Sequence, residues 1–247
     1  MRVLSIGNSF SSDAHKYIAR VGAAAGVGIL NCNLFIGGCR LERHYENMLS
    51  GEAAYGLRFF DKEDDEHKIS LDDALALDDW DVITVQQASK SSVDISTFEP
   101  YLSALVSHVR EKCPRAKIYL HKTWGYQDGS EILATMPFAN SEEMFKRVDE
   151  TYAEAERLVT FDGVIPAGAV MQELVRRGFI MHRDGYHASL GLGRAALALT
   201  WVKCLCGASA SGNSCRTFGA PVTDEEMEIV QRTVDEVVER ELAKRDN

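Results

Sequence analysis

The chain has 247 residues, 45% of them hydrophobic, enough apolar material for the core of one α/β domain without disulfide or metal staples. A formal charge of −10 and a pI near 5.2 repel phosphate backbones and anionic lipid, and no Lys/Arg-rich run inverts that field locally, so neither nucleic acid nor membrane is an expected partner. No stretch approaches the roughly 18 to 20 apolar residues of a membrane span, and the apolar run near Met1 is too short for a signal peptide, so a soluble cytoplasmic location is expected.

In chain order, Arg2 to Ile6 is a short β-branched and aliphatic run that reads as a buried strand, ending in Gly7-Asn8-Ser9-Phe10-Ser11. A helical pattern follows over Ser12 to Ala25, then a second strand over Ile29 to Phe35 that ends in Gly37-Gly38-Cys39. The stretch from Glu42 to Asp79 fits the alternation least, with an acidic run from Asp61 to Glu66 and no strong strand; it reads as an insertion beside the active site. Val82 to Val85 is the third strand, ending in Gln86-Gln87-Ala88-Ser89, and a helix is predicted over Phe98 to Cys113. Lys117 to His121 and Gly163 to Ile165 are the last two strands, separated by a helix over Ser141 to Val159. Helices over Ala167 to Arg177, Leu190 to Cys206 and Thr223 to Lys244 complete the chain, with Ser141 and Thr223 placed to cap theirs ahead of acidic first turns. Strands alternating with helices imply a parallel sheet with helices on both faces, and buried parallel strands should look uniformly apolar, as these do. Neither a linker nor a repeat divides the chain, so one domain over 1–247 is expected.

Six scattered cysteines in a chain of this size are expected as reduced thiols. Cys204 and Cys206 lack zinc-site spacing and a nearby histidine, and read as helix-end packing residues.

Ligands of an open parallel sheet gather at the carboxyl ends of its strands, so the polar residues after each run are the ones that can carry chemistry. A serine hydroxyl needs a base within reach and a third group to orient that base. Ser9 lies where a strand turns into a helix, which exposes its hydroxyl, although the same position equally suits a helix-capping serine. Asp184 and His187, three residues apart, can share one turn, the carboxylate holding the imidazole while its other nitrogen faces Ser9.

Gly7-Asn8-Ser9-Phe10-Ser11 resembles the first block of the SGNH/GDSL hydrolases, Gly37-Gly38 the second, and Asp184-Gly185-Tyr186-His187 the closing Asp-x-x-His block. The third block departs from the family pattern, because Val85-Gln86-Gln87-Ala88-Ser89 stands where most members have Gly-x-Asn-Asp; a glutamine there is similar to the branch that includes carbohydrate acetylesterases. Ile36 to His44, Trp80 to Ser89 and Thr123 to Tyr126 also resemble a bacterial subgroup of that superfamily. The resemblance implies a three-layer α/β/α sandwich around a five-stranded parallel sheet of flavodoxin-like order. It also implies a Ser9-His187-Asp184 triad acting through an acyl-enzyme. The oxyanion hole would be made by the Ser9 amide, the amide of Gly38 in preference to Gly37, and the Gln86 side chain in preference to Gln87.

The substrate this implies is a small acyl ester, an O-acetyl group on carbohydrate above all, and no metal or organic cofactor is required. Acyl transfer or thioester hydrolysis on the same triad is the alternative enzyme reading. A non-catalytic carbohydrate-binding or scaffold protein is the alternative of another class. His182, Asp184 and His187 match no common metal spacing. Trp124, Tyr126, His121 and Gln87 are candidate substrate contacts, with rim packing or structural hydrogen bonding as the competing role; the same two roles are open to His44. Arg40 and Lys122 could bind a substrate carboxylate.

Overall fold

The structure, a computed structural model, describes residues 1–59 and 68–245, so the acidic run from Asp61 to Glu66 lies outside the described residues. The chain runs β1 (Arg2–Gly7), α1 (Ser9–His15), α2 (Ile18–Ala24), β2 (Leu30–Phe35), α3 (Leu41–Ser50), β3 (Tyr55–Phe59), β4 (Lys68–Ile69) and α4 (Leu71–Leu75). It continues with β5 (Val82–Val85), α5 (Tyr101–Lys112), β6 (Lys117–His121), α6 (Ser141–Leu158), β7 (Gly163–Ile165), α7 (Ala167–Arg176), α8 (Leu192–Cys206) and α9 (Asp224–Arg245). Residues 95–97 form one short 3₁₀ turn before α5.

The strands form one sheet in the order β4-β3-β2-β1-β5-β6-β7. Its five central and right-hand members are the five apolar runs of the sequence, all parallel, in the flavodoxin-like order. Their register pairs Gly7 with Phe35 and Ile6 with Val85, so the residues that follow these strands emerge along one edge. The Glu42 to Asp79 stretch adds what its sequence hid: two antiparallel strands, β3 on β2 and β4 on β3. Tyr55-Gly56-Leu57-Arg58-Phe59 escapes a search for uniform apolar runs because it lies toward the sheet's edge, where glycine and arginine are tolerated and most residues stay half-buried.

Parallel connections are right-handed. Since β1 leads to β2 on one side and β5 leads to β6 and β7 on the other, their crossover helices fall on opposite faces. Accordingly α1, α2, α7 and α9 pack with α8, while α3, α4 and α5 pack together. The predicted helix over Ser12 to Ala25 is two helices. Helix α1 starts at Ser9 because Asn8 caps it, and it stops at His15, whose carbonyl is taken at 3.0 Å by the Asn31 side chain from β2. Helix α6 begins at Ser141 as expected, but Asn140 is its cap, accepting from Glu143 N at 2.9 Å. Thr223 caps α9, with Glu226 Oε2 accepting from Thr223 N at 2.8 Å in return. All six cysteines are free, and Cys204 and Cys206 sit half-buried at the end of α8, against the core.

Beneath the active edge the core is not purely apolar. Trp201 of α8 is fully buried between the rings of His15 and His121, with centroids at 4.9 and 5.0 Å. Asn31 Nδ2 reaches His15 Nδ1 at 3.2 Å, so that nitrogen accepts and Nε2 carries the proton to Ser5 Oγ, 2.6 Å away, which in turn meets Thr84 Oγ1 at 2.6 Å. His15, His44 and His121 are wholly buried, and burial pushes each down to about 3, with His121 adding to the effect on His15. The unfolded chain takes up these protons near pH 6.5 and the folded chain only near 3. Stability is therefore full above about pH 6.5 and erodes as pH falls towards 3, by about 1.4 kcal/mol per pH unit for each histidine, or about 4 for the three. The melting temperature is expected to fall steeply from pH 6.5 to pH 5; a plateau maintained to pH 5 would show that these histidines are not held neutral.

Candidate active site

The residue before the candidate nucleophile organises the carboxyl edge. Asn8, extended in backbone and 2% exposed, caps α1 by accepting from Phe10 N at 3.0 Å. The oxygen that takes this amide also accepts from Gln86 Nε2 at 2.9 Å at the end of β5, while Asn8 Nδ2 donates to Cys39 O at 3.1 Å beyond β2. One side chain thus joins three strand ends. Between the tied points, Cys39 N closes a turn onto Ile36 O at 3.2 Å, and Gly38 holds φ +60° within it, a conformation that a side chain would strain. Among the described residues, the amides of Ser9, the first helical residue of α1, and of Gly38 donate to no other group.

Asp184 and His187 lie on a tight turn bounded by the bridge between His182 and Ala188. Gly185, at φ +90°, permits the turn. Asp184 Oδ1 accepts from His187 N at 2.8 Å and Oδ2 from His187 Nδ1 at 2.7 Å. Burial raises the Asp184 pKa, but the hydrogen bonds from the His187 ring and amide outweigh it, and the carboxyl stays below its ordinary range as a carboxylate. With Nδ1 donating, His187 Nε2 carries the lone pair; it is buried and has no hydrogen-bond partner. The ring is seated by aromatic packing: Tyr186 at 3.9 Å between centroids and Phe10 at 5.9 Å. Phe10 in turn stacks on Trp124 at 4.1 Å, whose Nε1 donates to Tyr186 O at 2.7 Å.

A buried carboxylate of α1, which the sequence reading passed over, fastens this turn to the helix that begins at Ser9. Asp13 is 1% exposed and lies one turn beyond Ser9. It accepts from Arg183 Nη1 at 2.8 Å, Arg194 Nε at 2.9 Å and Ala188 N at 3.0 Å, and Arg183 also donates to Ala188 O. The only sequence signal was an acid at i+4 from Ser9, on the helix face that turns inward.

Ser9, Gly37, Gly38 and His187 line a single cavity of about 670 Å³, walled further by Phe10, Arg40, Ser89, Lys90, Tyr126, Ile132 and Tyr186. Ser9 Oγ and His187 Nε2 are not hydrogen-bonded to each other.

Several expected contacts do not reach the cavity. Gln86 is spent inside the protein, because Nε2 must face the Asn8 oxygen, which leaves Oε1 to accept from His121 Nδ1 at 2.7 Å. Gln87 accepts from Leu41 N and Ala88 N at 3.0 and 2.8 Å and donates to Thr97 O at 2.9 Å, so it pins loops together. His121 is fully buried under Trp201, and Trp124, 1% exposed, backs the wall instead of forming it. His44 is buried against Tyr55, its Nδ1 3.0 Å from the tyrosine hydroxyl. Lys122 points away and pairs with Glu156 and Asp149 of α6 at 3.1 and 3.4 Å. No described residue of the 42–79 stretch lines the cavity, because that stretch extends the sheet beyond β2. Tyr126 and Arg40 do line it.

Ser89 does so where Gln86 does not. Its Oγ lies 2.8 Å from the Tyr126 hydroxyl, and both groups belong to the wall shared with Ser9 and Gly38. His182 Nε2 faces Gly125 O at 3.1 Å, and burial lowers its pKa. Burial pushes the Cys39 thiol up to about 12 despite nearby Arg43 and Arg40, which holds it in the neutral thiol form. Among the described residues, no group of three or more histidines, cysteines or acids is placed to hold a metal ion, and no helix is long and apolar enough to cross a membrane.

The family model described as "Domain of unknown function (DUF4886)" matches residues 2–232. The chain is similar to the crystal structure of a DUF4886 family protein from Bacteroides uniformis, at 32% identity and a TM-score of 0.89 over 96% of this chain and 94% of that one. A candidate SGNH hydrolase from Slackia heliotrinireducens superposes with a TM-score of 0.58 at 20% identity, over 83% of this chain and 98% of that one. A candidate GDSL-like lipase from Parabacteroides merdae gives 0.53 at 18% identity, over 82% and 94%. The fold is therefore that of the SGNH hydrolases. No functionally curated protein matches the chain.

Replacing Asp13 by Asn keeps the shape but leaves two guanidinium groups facing a neutral amide. The unfolding free energy in urea is expected to drop by about 3 kcal/mol. A loss below about 1 kcal/mol would mean that this carboxylate does not fasten the two segments.

Proposed function

We propose that this chain, which belongs to the DUF4886 family, is a serine esterase that cleaves small acyl esters at Ser9. The observation that carries the reading is the setting of His187: Nδ1 is committed to a carboxylate, Nε2 is partnerless, and the residue lines the same cavity as a serine and glycines with unspent amides. A base prepared in this way serves a hydroxyl that must lose a proton as it attacks.

In this reading Ser9 Oγ adds to the ester carbonyl carbon and its proton passes to His187 Nε2. The amides of Ser9 and Gly38 receive the oxyanion. Asp184 stabilises the imidazolium, which returns the proton to the leaving alcohol as the carbon–oxygen bond breaks. Water, deprotonated by the same nitrogen, then releases the acyl group and restores Ser9. For the third oxyanion donor we assign Ser89 Oγ in place of Gln86, since its hydroxyl lines the cavity and the Tyr126 hydroxyl can accept or donate behind it. Buried Gln86 orients Asn8 instead.

The cavity's size and mixed lining, with Tyr126, Tyr186 and Ile132 beside three serines (Ser9, Ser89 and Ser91), suit a short acyl group on a sugar-sized alcohol, so O-acetyl carbohydrate is the proposed ester.

Purified Ser9→Ala is expected to keep its melting temperature and to lose turnover of acetyl esters completely; near-normal activity would falsify the assignment. Ser89→Ala is expected to lower kcat about 100-fold with little change in KM. An unchanged kcat in Ser89→Ala would return the third donor to another group. On a panel of acetylated sugars and medium-chain acyl esters, turnover confined to the latter would discard the acetyl-carbohydrate reading.

A further inference from the structure

The cavity carries two cations that the acyl chemistry leaves unused. Arg40, at the start of α3, follows the Gly37-Gly38-Cys39 turn, and Lys90 directly follows Ser89; both are exposed and both line the cavity. Among the described residues, neither side chain makes an ion pair or a hydrogen bond. Many cations elsewhere are neutralised: Arg110 by Asp162, Arg177 by Glu173 and Glu236, Lys203 by Asp235 and Glu239. Among the described residues, no aspartate or glutamate belongs to the cavity wall, although the chain carries 37 such residues and a net charge of −10. Asp184 holds His187 without lining the cavity, and Glu42, in the depression beyond Arg40, accepts from the Tyr101 hydroxyl at 3.3 Å.

A strongly acidic protein repels anions in general. A cleft whose permanently charged groups are all cationic inverts that field locally and draws an anionic ligand to the reacting serine. Guanidinium and ammonium groups with no internal partner retain their donors for a ligand's oxyanion, and a guanidinium fork matches a carboxylate or phosphate in two parallel bonds. The two cations flank the proposed oxyanion hole, one beyond Gly38 and one beyond Ser89, so an anion they hold belongs to the same molecule as the ester.

We infer that the natural substrate is an acyl ester of an anionic molecule, such as an acidic sugar, whose oxyanionic group is recognised by Arg40 and Lys90. The inference rests on the esterase reading for the position of the ester, but its test does not need turnover. Binding of three probes to folded Ser9→Ala is measured by calorimetry: O-acetylated methyl glucoside, the matching O-acetylated glucuronate, and the matching sugar phosphate. At least one anionic probe is expected to bind about tenfold more tightly than the neutral one in dilute buffer, the advantage of two solvent-exposed charge contacts. The advantage should shrink in 0.5 M NaCl and vanish when Arg40→Gln and Lys90→Gln are added, with melting temperature confirming the fold. The winning anion identifies the group recognised. Equal binding of all three probes, or an advantage that survives both substitutions, overturns the inference. Turnover of the same probes by the unmodified chain is scored separately. Discrimination without turnover removes the esterase reading and leaves anion recognition standing, whereas turnover with equal binding does the reverse.

Discussion

The carboxyl edge of this sheet depends on one carboxamide. Asn8 offers an oxygen to the first amides of α1 and to Gln86, and an amide nitrogen to Cys39 O, so the ends of β1, β2 and β5 are held in one register. A carboxylate at this place could accept as the oxygen does, but it could not donate to Cys39 O while ionised. The choice of asparagine is therefore about the glycine turn, which its amide nitrogen ties to the end of β1 through Cys39 O. Buried polar groups are costly when half satisfied, and here both ends of the amide are used.

The same logic runs one layer deeper. Gln86 passes the constraint from Asn8 to His121, and His121 packs on Trp201, which packs on His15. These histidines are held neutral by burial, so they serve as shape-specific hydrogen-bonding groups and not as charges. They lie away from the cavity, whose wall carries the imidazole of His187, next to a carboxylate.

Much of the fold was legible because parallel strands buried on both faces leave a plain signature; all five apolar runs are strands within a residue or two of their expected limits. The antiparallel pair β3 and β4 was not legible, because edge strands carry Gly56, Arg58 and Lys68, which a search for apolar runs rejects. At the site, Ser9, Gly38 and His187 were singled out by their places at strand ends together with the resemblance of their blocks to those of the SGNH hydrolases, and they line one cavity. Gln86 was expected at the cavity, yet Ser89 lines it and Gln86 does not, for a reason that spacing cannot express. Both follow β5, but which side chain clears the last turn of backbone depends on what waits beneath it, and beneath Gln86 wait Asn8 and His121. Trp124 shows the same limit, since an aromatic after a strand can form a wall or support one, and the stack with Phe10 decides.

Asp13 binds groups 170 to 181 positions further along the chain. Contacts of such separation form late, after nearly all the intervening strands and helices have been made and ordered. During synthesis Ser9, the glycine turn and both glutamines emerge well before Arg183, His187 and Arg194. Until those residues are made, Asp13 has none of the three partners that fasten it in the folded chain. Closing this long-range contact is what seats the Asp184–His187 turn against the helix that begins at Ser9.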